Sequence, residues 1–243
     1  MRLDEYLVKN KITSSRNKAN MLIEESKVLI NGQVINKKSY QVNEDDNVKI
    51  IENLAYVSRA GKKLDKAIKT FNVQLKDKII LDVGCSSGGF SDVCLQNNAK
   101  KIYCIDVNDN QLNNKIKNDS RVINLCPLNI KDLTKDKIKD SIDIVVSDLS
   151  FISSYYMFLA ISKISLSDNV IIISLIKPQF ELDKNILDKT KGVIKDTKHH
   201  LLAISKVKSF AKKFGFEMFD LIESPIVGAK KGNKEFLGLF KHV

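Results

Sequence analysis

One stretch, residues 78–90, constrains the fold of this chain more than any other. It opens with a short apolar run, Ile79-Ile-Leu-Asp-Val83, which is typical of a parallel strand buried on both faces. Glycines follow at positions 84, 88 and 89, and glycine tolerates a positive φ and a close approach of backbone to a ligand. Phe90 and Val93 then recur at helical spacing. The stretch therefore predicts a strand, a tight turn and a helix N-terminus, the place where open α/β sheets bind nucleotide-like ligands.

The spacing of these glycines narrows the choice of ligand. It matches neither the dinucleotide fingerprint Gly-x-Gly-x-x-Gly nor a Walker loop, so a phosphate ligand is disfavoured. The run Asp-Val-Gly-x-x-x-Gly-Gly-Phe resembles the cofactor loop of Rossmann-like methyltransferases, which implies S-adenosylmethionine as the cofactor. The contacts expected from the loop are Asp82, Gly84, Ser86, Gly88, Gly89 and Phe90. A glycine-rich turn that only closes a strand–helix unit is the alternative on the loop alone.

Strand and helix patterns alternate from this stretch to the end of the chain. Six further strand patterns lie at 101–106, 122–125, 142–148, 170–176, 216–222 and 236–240, with helical patterns between them, notably at 155–164 and 199–213. Seven strands alternating with helices predict a doubly wound, Rossmann-like α/β sheet. The last strand should be antiparallel because its connection is too short for a helical crossover.

Polar residues after the second, third and fourth strands extend the predicted cofactor site. Asp106 ends the second strand, where an acid can accept hydrogen bonds from both ribose hydroxyls of an adenosine. Asn129 follows the third strand, near the expected position of the adenine. The further cofactor contacts predicted here are Asp106, Val107, Asn129, Ile130 and Asp148.

Residues 1–57 are expected to form a separate small α+β module, with the sheet domain at 58–243. Apolar residues at helical spacing predict two short helices, around Leu3 to Leu7 and Ala19 to Ile23. Asn31-Gly32 between apolar runs is the strongest short hairpin signal, and Val48 to Ile51 can supply another strand. The predicted module is thus two helices followed by a small sheet.

Basic residues are concentrated inside this module. Positions 9–38 carry seven basic and two acidic residues, whereas residues 1–57 as a whole carry nine and eight. The arrangement resembles the small RNA-binding domain shared by a small-subunit ribosomal protein, pseudouridine synthases and tyrosyl-tRNA synthetases. The phosphate contacts expected on this basis are Lys11, Arg16, Lys18, Lys37 and Lys38. The alternative is a solvated basic face on a packing module.

Composition limits the classes of function. The net charge is +11, which favours a polyanionic partner such as nucleic acid. The longest apolar run is far below the roughly 18 residues needed to span a bilayer, and the charged N-terminus lacks a signal-peptide pattern. We therefore expect a cytoplasmic protein that does not insert into membranes. Four cysteines without a Cys-x-x-Cys pair and three histidines predict no metal site.

Charged residues stand where three strands end or begin. Asp148 and Lys177 close the fourth and fifth strand patterns, and Glu235 precedes the seventh. A lysine at the end of a buried strand is costly without a partner, so the neighbouring Asp148 is its natural counter-ion. Lys63 lies near a helix start, where a positive charge opposes the helix dipole. Each residue taken alone fits a structural ion pair as well as a catalytic role.

Together these residues match a family pattern. The segments Ser-Arg-x-Gly-x-Lys-Leu, Ser-Asp-Leu-Ser-Phe-Ile-Ser, Lys-Pro-Gln-Phe-Glu and Gly-Asn-x-Glu-Phe, with the glycine loop and the N-terminal module, resemble the TlyA-type rRNA methyltransferases, also called the haemolysin A family. The resemblance implies 2′-O-methylation of a cytidine in ribosomal RNA, free or in a ribosomal subunit, with the large subunit favoured and the small subunit possible. It implies a catalytic tetrad shared with FtsJ-like methyltransferases, namely Lys63, Asp148, Lys177 and Glu235.

Other functions leave different sequence marks. A base-amine methyltransferase usually carries Asp/Asn-Pro-Pro-Tyr/Phe after the fourth strand, where this chain has Leu149 and Ser150. A carbon-5 methyltransferase needs a cysteine near that loop, and none of the four cysteines lies there. A ribosome assembly factor that binds RNA and senses the cofactor without turnover is the non-enzymatic alternative. Membrane lysis has little support because the chain lacks an amphipathic anchor pattern.

Overall fold

The computed structural model describes residues 1–24, 27–50, 55–109, 111–228 and 232–243. These residues form two compact units, Met1–Arg59 and Ala60–Val243. Each unit has its own sheet and its own hydrophobic core. No helix in the described ranges is long and apolar enough to cross a membrane.

The N-terminal unit combines two helices with a small antiparallel sheet. Its elements are α1 (Leu3–Lys9), α2 (Arg16–Glu24), β1 (Val28–Ile30), β2 (Gln33–Val34) and β3 (Val48–Ile50). The strand order is β2-β1-β3. Apolar residues of both helices pack on this sheet, and the fully buried ones include Leu3, Leu7 and Ile23.

Local sequence signals explain the predicted elements of this unit. The amide of Lys18 donates to the hydroxyl of Ser15 at 3.3 Å, which caps the start of α2. Asn31 and Gly32 have φ of 51° and 81°, as a two-residue hairpin turn between β1 and β2 requires. The hairpin and the third strand are confirmed, although the last residue of the predicted third strand, Ile51, lies outside the described residues.

The second unit is a seven-stranded α/β sheet. Its strands are β4 (Ile79–Val83), β5 (Lys101–Ile105), β6 (Val122–Asn124), β7 (Ile142–Ser147), β8 (Leu166–Ile176), β9 (Phe216–Glu223) and β10 (Phe236–His242). Its helices are α3 (Ala60–Thr70), α4 (Gly89–Gln96), α5 (Asn114–Lys117), α6 (Tyr155–Ile161), α7 (Pro178–Glu181), α8 (Lys184–Lys189) and α9 (Thr197–Lys213). Short 3-10 turns occupy Ile130–Asp132 and Lys135–Lys137.

The topology of this sheet confirms the predicted fold class. The strand order is β6-β5-β4-β7-β8-β10-β9, and the first five strands in that order are parallel. β10 pairs antiparallel with both β8 and β9, as expected from the short connection that precedes it. The sheet order reverses between β4 and β7, and ligands of open α/β sheets bind at such a reversal.

Two elements of the sheet domain, β8 and α9, begin earlier than the sequence predicts. β8 begins at Leu166 rather than at residue 170, because the pairing with β7 continues past a register shift despite the exposed Asp168 and Asn169. α9 begins at Thr197, two residues before the predicted start, because the side chain of Asp196 accepts a hydrogen bond from the amide of Lys198.

Candidate active site

The sheet topology brings the four predicted catalytic residues together at the edge formed by the carboxyl ends of the parallel strands. Asp148 and Lys177 directly follow β7 and β8, two adjacent parallel strands whose carboxyl ends lie together. β10 runs antiparallel to β8, so Glu235, just before β10, lies at the same edge. Lys63 reaches the group from the first turn of α3, whose other face is buried through Leu64, Ala67 and Ile68.

Charges of opposite sign alternate in this cluster. The Nζ of Lys177 lies 2.6 Å from Oδ1 of Asp148, and the Nζ of Lys63 lies 3.5 Å from Oδ2 of the same carboxylate. Lys63 also donates to Oε2 of Glu235 at 2.7 Å. The side chain of Lys177 is 9% exposed and that of Glu235 is 4% exposed. Two ammonium groups and two carboxylates are therefore held together almost out of contact with solvent.

The environment of Asp148 favours its charged form. Burial on its own would raise the pKa of this carboxyl, but the positive charges of Lys63 and Lys177 outweigh that effect and lower the pKa below its usual range. Asp148 is therefore a carboxylate over the physiological pH range. A fixed negative charge between two lysines can orient both ammonium groups.

Ser150 is a member of this site that the sequence predictions missed. The Nζ of Lys177 donates to its hydroxyl oxygen at 2.7 Å. Ser150 lies in the segment Ser-Asp-Leu-Ser that drew attention to Asp148, so the motif contained the residue without indicating its contact. Lys177 is thus held by an ion pair with Asp148 and by a hydrogen bond to the hydroxyl of Ser150.

A cavity of about 590 Å³ opens beside the cluster. Asp148 and Ser150 belong to its wall, so the cavity and the charged cluster are continuous. Of the predicted cofactor contacts, the lining includes Gly84, Ser86, Asp106, Val107, Asn129, Ile130 and Asp148. Its volume lies in the range of about 300–1,000 Å³ that is typical of small-molecule sites.

The glycine loop passes unusually close to the strand that bears Asp148. Gly84 has a φ of 81°, and a Cβ at this position would lie 2.9 Å from the carbonyl oxygen of Asp148. Only glycine fits this backbone without displacing one of the two segments. Asp106 fixes the next part of the loop, because its carboxylate accepts from the amides of Ser86 and Asn108, each at 3.0 Å.

Four predicted cofactor contacts are buried and are not among the residues that line the cavity: Asp82, Gly88, Gly89 and Phe90. Gly88 starts α4 in the left-handed conformation, and a Cβ there would meet the side chains of Leu112 and Ile116. Phe90 is a core residue, 2% exposed. These residues shape the loop and the helix start, which differs from the direct contacts expected from the sequence.

Asp82 shows the largest departure from its expected role. Its side chain is fully buried and accepts a hydrogen bond from the hydroxyl of Ser91 at 2.5 Å, so it points into the protein. Burial raises the pKa of Asp82 to about 7, against a smaller opposing effect of the hydrogen bond from Ser91. A direct contact between this carboxylate and the cofactor, as expected from the sequence, does not fit its buried position.

The predicted RNA contacts all lie on the N-terminal unit. Lys11, Lys18 and Lys37 are exposed. Arg16 is also exposed, but its guanidinium pairs with Asp4 at 2.8 Å and Glu5 at 3.2 Å. Lys38 pairs with Glu24 at 2.5 Å. Two of the five cations therefore have acidic partners within the unit, a feature that spacing in the sequence does not indicate.

Comparisons with known proteins agree with this architecture. The FtsJ-like methyltransferase family matches residues 56–241, and the S4 domain family matches residues 1–48. Hemolysin A of Brachyspira hyodysenteriae is 40% identical over 241 residues, 99% of each chain. The protein named 23S rRNA (cytidine-2′-O)-methyltransferase TlyA of Campylobacter jejuni is 34% identical over 97% of each chain.

A solved structure gives the same result in three dimensions. A protein described as a hemolysin from Streptococcus thermophilus superposes with a TM-score of 0.78 and 33% identity, covering 100% of this chain and 88% of that one. The family match includes the glycine loop and all four residues of the charged cluster. The resemblance drawn from the sequence motifs is confirmed, and the chain belongs to the FtsJ-like methyltransferases of the TlyA, or hemolysin A, type with an N-terminal S4 domain.

Proposed function

We propose that this protein transfers a methyl group from S-adenosylmethionine to the 2′-oxygen of a cytidine in ribosomal RNA. The observation that carries the proposal is the buried cluster of Lys63, Asp148, Lys177 and Glu235 beside the cavity. Buried charges are expensive to keep, and clusters of this kind are concentrated at functional sites. The activity for which the Campylobacter relative is named supports both the reaction and the substrate.

The residues of the cavity fit this cofactor. Asp106 retains lone pairs for ribose hydroxyls although both of its oxygens already accept amide hydrogen bonds. Apolar side chains suited to the faces of an adenine line the same cavity, among them Val107, Leu128 and Ile152. When bound, S-adenosylmethionine supplies an activated methyl group on a positively charged sulfur. The carboxylate of Asp148 at the cavity wall suits a cationic ligand.

Lys177 is assigned as the group that accepts the proton of the ribose hydroxyl. A ribose hydroxyl is a poor nucleophile until its proton is removed. The ammonium form of lysine only donates hydrogen bonds, so it is the neutral amine of Lys177 that takes the proton. In that form Nζ keeps two N–H groups beside Ser150 and Asp148, and its lone pair is left to accept the proton of the ribose hydroxyl. The resulting ammonium is stabilised by the carboxylate of Asp148 at 2.6 Å.

Lys63 and Glu235 are assigned to positioning the reactants and their charges. Lys63 contacts the second oxygen of Asp148, so the two lysines share one carboxylate. Glu235 balances the charge of Lys63 through its 2.7 Å contact. Much of the acceleration is expected to come from alignment of the oxygen with the methyl carbon, since holding reactants in place is worth about 7–11 kcal/mol in favourable cases.

The N-terminal unit is assigned to RNA docking. The S4 match and the basic stretch at positions 9–38 support this assignment. We further propose that the functional division falls near residue 57 and that the substrate is rRNA of the large subunit, free or in an assembled particle. Ribosomal RNA as the substrate places the reaction in the cytoplasm. An assembly factor without turnover is less favoured, because sensing a cofactor does not require a buried lysine poised beside a serine hydroxyl.

Methyl transfer to ribosomal particles tests the proposal. Particles from cells lacking the gene are incubated with the protein and cofactor labelled with tritium in the methyl group. We expect label in ribosomal RNA and a new reverse-transcription stop at one cytidine. In cells that lack the gene, the same stop should be absent and should return when the intact gene is restored. Binding of cofactor and RNA without any transfer of label to free rRNA, subunits or assembly intermediates would favour the assembly factor instead.

A further inference from the structure

Glu181 joins two segments of the active site. Glu181 is the last residue of α7, the short helix that begins directly after Lys177, and its side chain is buried. One carboxylate oxygen accepts from the hydroxyl of Ser153 at 2.6 Å, and the other accepts from the amide of Ser154 at 2.8 Å. A single side chain therefore ties the segment after β8 to the loop after β7.

The loop held by Glu181 contains the residues that contact Lys177. Residues 148–154 include Asp148 and Ser150, and they also include Phe151 at a φ of 66°. A bulky residue in the left-handed region is strained by about 1–3 kcal/mol and persists only where its surroundings fix it. The ring of Phe151 packs on Phe180 with centroids 5.2 Å apart, so α7 holds this loop at a second point.

We propose that Glu181 is a positioning residue for methyl transfer, acting through Ser150. By fixing Ser153 and Ser154, it keeps the loop in the strained conformation in which the Ser150 hydroxyl lies 2.7 Å from Nζ of Lys177. A carboxylate suits this role because it only accepts hydrogen bonds, so the directions of both donors are defined. The inference rests on the proposed function, in which Lys177 accepts the proton.

Loss of the Glu181 carboxylate has a specific geometric consequence. If the loop relaxes and Ser150 moves away, Nζ of Lys177 loses its hydrogen bond to the Ser150 hydroxyl and is no longer held in place. The rate loss should then depend on Ser150, whereas a loss caused by general destabilisation of the fold would be independent of that residue.

The test is a double-variant cycle read by single-turnover methylation of rRNA at saturating cofactor. Glu181→Ala should lower the rate constant by about 10- to 100-fold, since small misplacements of reacting groups cost that much. Glu181→Gln should recover most of the rate, because its amide can still accept from Ser154 and donate to Ser153. Combining Glu181→Ala with Ser150→Ala should give no greater loss than the more damaging single change.

Asp183→Ala is the matched control. It removes an exposed carboxylate two residues away, which pairs with Lys206 at 2.6 Å. This variant should keep the wild-type rate. Amide hydrogen exchange over residues 149–154, measured without substrate, should be faster in Glu181→Ala than in wild type and unchanged in Asp183→Ala.

The outcomes separate this inference from the function on which it rests. Additive rate losses in the double variant, a wild-type rate in Glu181→Ala, or no recovery of the rate in Glu181→Gln would each overturn the positioning role. Absence of methyl transfer by the wild-type protein would overturn the proposed function instead. In that case the exchange measurement still decides whether Glu181 holds the loop.

Discussion

Two ion-pair networks in this molecule have nearly the same distances and very different surroundings. In the N-terminal unit, Arg16 contacts Asp4 at 2.8 Å and Glu5 at 3.2 Å, with the arginine side chain 54% exposed. At the sheet edge, Lys177 contacts Asp148 at 2.6 Å, with the lysine side chain 9% exposed. Distance alone therefore does not distinguish an exchangeable surface pair from a reactive buried one.

The difference lies in what each network can exchange. Exposed pairs are typically worth about 0–1 kcal/mol, so an RNA phosphate can replace Glu5 as a partner of Arg16 at little cost. A buried lysine cannot exchange its partner for water without a large penalty, so its partners are fixed and its proton can be directed. We expect changes in the buried network to alter chemistry and changes in the surface network to alter docking.

The largest expected effect comes from the buried network. Lys177→Ala should lower the single-turnover rate by about 10³-fold, within the range of general acid–base contributions, while cofactor and RNA affinities stay near wild type. Arg16→Ala is the control from the surface network and should keep the rate at saturating RNA. An unchanged rate in Lys177→Ala would remove it as the proton acceptor.

A pair of glycines extends the comparison to the backbone. Gly84 and Gly32 both have φ of 81°, but a Cβ at Gly84 meets the Asp148 carbonyl while Gly32 has open space around it. Gly84→Val should weaken cofactor binding at least tenfold, roughly the effect of the backbone strain, whereas Gly32→Val should leave it unchanged. Calorimetry measures both. Tight cofactor binding by folded Gly84→Val would contradict the loop assignment.

Glu235→Ala should have a smaller effect on rate than Lys177→Ala. Lys63 loses its 2.7 Å contact but keeps Asp148 at 3.5 Å, so one carboxylate still holds both lysines. Single-turnover rates of the two variants, measured side by side, decide the order. A greater loss in Glu235→Ala would mean that Glu235 contributes more to the reaction than charge balance.

The surface network is tested by the salt dependence of RNA binding. Charge reversal at Arg16 and Lys18 should weaken binding and lower the slope against salt by roughly one for each lost phosphate contact. Lys18→Glu should act more strongly than Arg16→Glu, because Arg16 must exchange its contact with Glu5 for one with a phosphate. Cofactor affinity is the control. An unchanged slope would exclude this basic stretch from docking.

The comparison also extends to the pH dependence of stability, which should have opposite signs in the two units. The hydrogen bond from Arg2 contributes most to lowering the pKa of Asp4, so its stabilisation is present above the unfolded pKa and is lost as pH falls through the folded one. Burial raises the pKa of Asp82 to about 7. The free energy of unfolding that depends on Asp82 should therefore fall as the pH rises from about 4 to about 7. Unfolding of Asp82→Asn should lack that decline, and an unchanged pH profile would contradict the assignment.

The sequence was most informative where topology alone places a residue. Asp148, Lys177 and Glu235 follow or precede strands, so the order and direction of β7, β8 and β10 suffice to bring them together. The antiparallel last strand followed from the length of its connection. Their catalytic roles stay predictions, since position at a sheet edge does not establish chemistry.

The sequence was least informative where contacts depend on loop conformation. Glu181 meets Ser153 and Ser154 some 27 residues away, and neither spacing nor hydrophobic pattern encodes that contact. Asp82 lies in a strand whose side chains alternate between the two faces of the sheet, and the sequence does not indicate which face it is on. In the folded chain its carboxylate is buried and accepts a hydrogen bond from Ser91. The sequence predicts Arg16 as a phosphate contact and does not indicate its acidic partners, because the acids on α1 lie next to it only after folding.

Identification of the methylated atom tests the central claim most directly. Ribosomal RNA labelled by the protein with tritiated-methyl cofactor is digested to nucleosides, and the labelled nucleoside is identified by chromatography and mass spectrometry. The account predicts label in 2′-O-methylcytidine with the wild-type protein and none above background with Lys177→Ala over the same time. Label on a base, or equal 2′-O-methylcytidine from both proteins, would contradict it.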